Sequence, residues 1–162
     1  MPSINTTGSG HAGPVGVGAN FLPYTNAEGR YLSVLQAAMN VINSRIVGHA
    51  PCNTAFRALP RGRSFSDVWH DNSVWINYDP DLVPGYFGAR FGNDITIAKH
   101  AFVMGHWTVV STLVHELAHV NGAPGGNSRQ AEDTLKRCLL HQLHDPTILG
   151  RLFNPMNNRR IC

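Results

Sequence analysis

The chain has 162 residues, of which 43% are hydrophobic and 14% charged, and a net charge of +3. That content suits one domain with a proper core, and the mild charge, clustered only at Arg61 with Arg63 and at Arg159 with Arg160, gives no nucleic-acid footprint. No stretch approaches a membrane span, and the N-terminus has neither the basic start nor the apolar run of a secretion signal, so a cytoplasmic protein, or one exported by a dedicated route, is expected.

In chain order, residues 1–23 are rich in Gly, Ser, Thr and Asn without hydrophobic periodicity and read as a flexible leader, which leaves 24–162 as the folded domain. Thr25 and Glu28 have capping-box spacing, and Leu32, Leu35, Met39 and Ile42 repeat at helical intervals to about residue 46. Residues 54–59 suggest a short helix. Residues 74–78 alternate as a half-buried strand closed by Asp79 and Pro80, and residues 94–98 form a second alternating run. Residues 107–120 are apolar nearly all round, as in a helix at the centre of a domain, and Asn121 with Gly122 ends it. Thr108, Val109, Val110, Thr112 and Val114 would suit a strand by propensity, which is a weaker signal than tertiary context. After a turn-rich loop at 122–128, residues 129–143 read as a helix with Ala131, Leu135, Cys138, Leu139 and Leu143 on one face. A last short helix at 147–153 precedes a tail. Trp69, Trp75 and Trp107 read as core or cleft walls. The three cysteines have no metal-type spacing; Cys52 with Cys138 is the first choice for a disulfide, and three reduced thiols fit the odd count as well.

Within the apolar helix stand His115, Glu116 and His119. Residues four apart lie on one helical face, so the two imidazoles can direct nitrogens at a common atom. Two histidines in an apolar helix are otherwise costly unless both are hydrogen-bonded. Two histidines with a glutamate beside the first suit zinc: the histidines as ligands, Glu116 as acceptor for a water proton.

The HELAH segment resembles the active-site helix of the zincin metallopeptidases, a resemblance that covers about residues 94–143. It implies an α+β fold: one zincin-like domain with a small mixed sheet, a buried motif helix and a following helix that bears a ligand. It also implies one zinc per chain, with His115 and His119 as ligands and Glu116 as general base. In zincins a sheet edge strand before the motif helix lines the substrate cleft and pairs with an extended peptide, a part expected of residues 95–98 or 99–102. The run HELAHVNGAPG follows the metzincin pattern as far as Gly122, but Gly125 stands where a third histidine belongs.

Three residues compete as third ligand. Helical geometry, at about 100° per residue, sets Glu132 on the flank of the apolar stripe and Asp133 roughly opposite. Glu132 resembles the gluzincin arrangement, although Lys136 occupies the place of its supporting Asp. Asp133 resembles in spacing the ligand of the deuterolysin-like aspzincins, and His141 the distant third histidine of SprT-like proteins, although it falls outside the stripe. Tyr78, Tyr86, His100 and His106 are the groups suited to stabilising an oxyanion.

The expected function is a zinc-dependent endopeptidase acting on a peptide or protein substrate, of the kind a bacterial effector or toxin would use. The rivals are a SprT-like protease working near DNA, a peptidoglycan amide hydrolase, a zinc-binding module without catalysis, and a domain without metal. Oligomeric state is not legible.

Overall fold

The computed structural model describes residues 1–126 and 128–139. It is a small α+β domain with a four-stranded mixed sheet and, among the described residues, six helices. The strands are β1 (Ser3–Ile4), β2 (Trp75–Asp79), β3 (Gly88–Phe91) and β4 (Asp94–Ala98), in the order β1-β2-β4-β3. β1, β2 and β4 run parallel, and β3 is antiparallel to β4. The helices are α1 (Gly29–Val41), α2 (Ala50–Arg57), α3 (Phe65–Trp69), α4 (Lys99–Met104), α5 (His106–Val120) and α6 (Arg129–Leu139). Among the described residues no helix is long and apolar enough to cross a membrane.

The N-terminal segment corrects the expectation of a flexible leader. β1 pairs with β2, Ser3 N–H donating to Val74 O at 2.8 Å and Asn5 N–H to Ile76 O at 2.9 Å. Asn5 is fully buried; its amide donates to Asn77 Oδ1 at 2.7 Å, and the Asn77 amide donates in turn to Asp94 Oδ1 at 2.9 Å. His11 stacks on Trp75 with ring centroids 4.1 Å apart and meets Asp94 Oδ1 through Nε2 at 2.6 Å. Phe21 and Tyr24 are buried further along. This segment is held by paired polar groups and a two-residue strand, so it lacks the apolar periodicity by which a strand announces itself.

α5 runs through the centre. All of it except His106 is buried, packed against α1, α4, α6 and the β3–β4 side of the sheet. Within its β-branched stretch two buried hydroxyls are satisfied by the helix itself, Thr112 Oγ1 donating to Thr108 O at 2.8 Å and Ser111 Oγ to Trp107 O at 3.0 Å, and the helix is kept by its packing on all sides. Its C-terminus closes at Gly122, whose φ of +97° suits glycine; Gly122 N–H donates to His119 O and Ala123 N–H to Ala118 O. The buried Asn121 amide ties that end to Phe56 O and Arg63 O.

α1 begins after the expected Thr25–Glu28 capping box, which caps a single turn at Asn26–Glu28, and a wider π-type turn at Ile42–Ile46 extends it. The short helix expected at 54–59 begins earlier, at Ala50, and its second residue is Pro51, where proline is tolerated. Cys52 and Cys138 are bonded, joining α2 to α6 across 86 residues. α6 buries Ala131, Leu135, Cys138 and Leu139, as its periodicity predicts. Its expected last turn, the 147–153 helix and the tail lie outside the described residues.

The strand assignments need one correction. β4, at 94–98, lies between β2 and β3 and is interior rather than an edge, and residues 99–102 belong to α4. The edge strand on the α5 side is β3. Its short sequence, Gly-Ala-Arg-Phe, carries no strand signal of its own.

Candidate metal centre and cleft

The helical spacing brings the two imidazoles together: His115 Nε2 and His119 Nε2 lie 3.0 Å apart, and both residues are buried. The other nitrogen of each ring faces an acceptor. His119 Nδ1 lies 3.2 Å from Ala123 O, a carbonyl presented by the turn that closes α5. His115 Nδ1 lies 3.5 Å from Glu132 Oε1, within ion-pair range but beyond a hydrogen bond, and has no hydrogen-bond partner among the described residues.

Ala123 O favours N–H at Nδ1 of His119, and with the same tautomer in His115 both Nε2 lone pairs converge on one point. Two lone pairs at that distance repel unless a cation lies between them. Burial, with His119 as a second cause, pushes His115 down to about 3, and burial lowers His119 too, so neither ring readily supplies that cation by protonation. Two neutral imidazoles oriented from behind by an oxygen atom are the donor chemistry of zinc and similar metals. In kind, then, the residues fit the metal.

In number the set is short. Among the described residues no three His, Cys, Asp or Glu side chains gather around one point. Glu132, expected as third ligand, stands at the Nδ1 side of His115, away from the Nε2 convergence. α6 delivers it to the flank of the motif helix, as the angular count predicts, but one ring further out. Burial raises its carboxyl above the ordinary range. Asp133 has a side chain 68% exposed and pairs with Lys136 at 3.4 Å, so it does not approach the centre. His141 lies outside the described residues.

Glu116 is 1% exposed and lines, with His119, a cleft of about 220 Å³. Tyr86, Gly88, Ala89, Arg90, Gly125 and Gly126 complete its lining. Gly88 is required by close approach: a Cβ there would lie 2.6 Å from Thr112 Cγ2, 2.9 Å from Thr96 O and 3.2 Å from Glu116 Oε1. Phe87 O accepts from Ala98 N–H, which turns the peptide groups of Phe87, Ala89 and Phe91 toward β4. In an antiparallel pair the alternate residues face away, so Gly88 and Arg90 offer backbone N–H and C=O at the free edge.

Of the four groups suited to an oxyanion, only Tyr86 lines this cleft. Tyr78 is buried in a ring cluster with Tyr24, Tyr31 and Phe102, and burial pushes its phenol up to about 12. His100 sits on α4 against Phe87, ring centroids 5.3 Å apart, and does not line the cleft. His106 starts α5, about 13 Å along the axis from His115 at the helical rise, and burial lowers its pKa. Arg90 and the 88–91 edge strand were missed by sequence reading. Gly88 and Gly92, bracketing a short run just before the 94–98 strand, are the one local sign of a hairpin there.

No family model, curated protein or solved structure matches the chain.

Proposed function

We propose that this protein is a zinc-dependent peptidase whose His115 and His119 hold the metal and whose Glu116 is the general base. The observation that carries the reading is the convergence of two buried Nε2 atoms at 3.0 Å beside a buried carboxylate in an open cleft. Zinc bound there supplies a Lewis acid and a water of lowered pKa. Glu116 accepts the proton of the attacking water and delivers it to the leaving nitrogen, a transfer its seat in the cleft wall allows. The free edge of β3 holds the substrate extended through Gly88 and Arg90, and the Tyr86 phenol is the donor available to the developing oxyanion.

A second reading has its own support, since 3.0 Å is also the length of a direct N–H···N hydrogen bond. The pair would then be a structural element of the core. Metal analysis separates the two. Protein purified without chelators is expected to hold about one zinc per chain. Glu116→Gln is expected to keep that zinc while peptide cleavage falls by roughly 10²–10⁴-fold. A protein that neither carries nor takes up zinc supports the structural reading.

A further inference from the structure

We propose that Arg90 selects substrates that carry a carboxylate close to the scissile bond, an assignment that rests on the peptidase reading of the same cleft. Side chains alternate along β3, so Arg90 shares a face with Gly88. That face looks onto α5, because a Cβ on Gly88 would lie 2.6 Å from Thr112 Cγ2 and 3.2 Å from Glu116 Oε1. Arg90 therefore lines the cleft on the strand face that looks onto the motif helix, its guanidinium resting on Gly92 O.

The guanidinium is not committed to another carboxylate. Among the described residues its hydrogen bond runs from Nη1 to Gly92 O at 3.2 Å, and the ion pairs there join other residues. A guanidinium has five N–H donors in a planar fork that matches a carboxylate, so most of its capacity is open to a ligand. The rest of the wall is small or neutral, with Gly88, Ala89, Gly125, Gly126 and Tyr86, and Glu116 is the acidic residue of the cleft. A substrate lying along β3 meets this cation in the same cleft as the residue that would move the proton. Two sources supply the required chemistry: an Asp or Glu side chain flanking the bond within a chain, or the free carboxylate at a peptide's C-terminus.

Binding to the full-length Glu116→Gln protein, with zinc added, tests the assignment without turnover. The probes are acetyl-Ala-Glu-Ala-amide, its Gln counterpart, and acetyl-Ala-Ala with a free C-terminal carboxylate, followed by NMR titration. One of the two carboxylate peptides is expected to bind at least about tenfold more tightly than the Gln peptide, the usual scale of a charge-assisted contact. Which one does so identifies the source. Adding Arg90→Gln is expected to abolish the difference, and Arg90→Lys to keep part of it. Three peptides that behave alike, including a failure of all three to bind, overturn the assignment, as does a preference that survives Arg90→Gln. The peptidase reading fails separately, through absence of zinc or of cleavage by the wild-type protein while the carboxylate preference stands.

Discussion

Glu132 Oε1 stands 3.5 Å from Nδ1 of His115, at the ring nitrogen that does not face His119. A carboxylate behind a histidine favours the tautomer whose Nε2 is an acceptor and raises its basicity. In the proposed centre Glu132 would therefore act through His115, as a positioning group, rather than as a ligand. The helix that carries it is bonded to α2 through Cys138 and Cys52.

A supporting carboxylate and a ligand give different mutants. Glu132→Ala is expected to lower zinc affinity by roughly 10–100-fold, the usual range for such partners, while one zinc per chain still binds at saturation. Asp133→Ala, at a side chain 68% exposed, is expected to change neither affinity nor activity. Zinc titration against a competing chelator reads all three proteins. Loss of stoichiometric zinc in Glu132→Ala would return that residue to the ligand set.

The histidine pair is expected to make the metal-free protein acid-sensitive. His115 is held down to about 3 and His119 is lowered, both by burial first, whereas in the unfolded chain each titrates near 6.5. Between those limits the unfolded state binds more protons, so stability is full above about pH 6.5 and is lost as pH falls. The slope reaches at most about 1.4 kcal/mol per pH unit for a fully buried histidine. Glu132, raised by burial, contributes in the opposite sense, since its folded form takes up a proton more readily. Urea midpoints of chelator-treated protein at pH 7, 6 and 5 are expected to fall steadily, and less steeply for His115→Gln.

Gly88→Ala is expected to destabilise the protein by about 1–3 kcal/mol, as overpacking does. The added methyl meets the Thr96 carbonyl as well as Thr112 Cγ2 and Glu116 Oε1, so β3 must move away from α5. Cleavage is expected to fall more than stability explains, which comparison of urea midpoint and kcat/KM for the same variant will show.

Replacing Cys52 and Cys138 together by serine removes a crosslink across 86 residues, worth up to about 4–5 kcal/mol in the chain-entropy account. The double variant is expected to melt lower and, because α6 carries Glu132, to bind zinc more weakly. Unchanged zinc affinity would separate the tether from the centre.

Local periodicity accounts for what the sequence alone determined. Four-residue spacing places His115 and His119 on one face of a helix, and the apolar stripe of residues 131–139 puts Glu132 on its flank and Asp133 in solvent. Both follow from the helical repeat once these segments are helical. Cys52 and Cys138 were the first choice among the cysteines and are bonded, although no local rule joins residues 86 apart.

Tertiary structure alone decided the remainder. Asn5 finds its partner in Asn77, 72 residues on, so a polar segment without periodicity becomes part of the sheet. Strand order puts the strongly alternating residues 94–98 inside the sheet and leaves the unpatterned 88–91 at the edge that lines the cleft. The docking of α6 turns Glu132 toward Nδ1 of His115 instead of Nε2. A side-chain repeat reports which face of an element is buried; it carries no information about which neighbour covers that face, or which of two nitrogens 2 Å or so apart the neighbour meets.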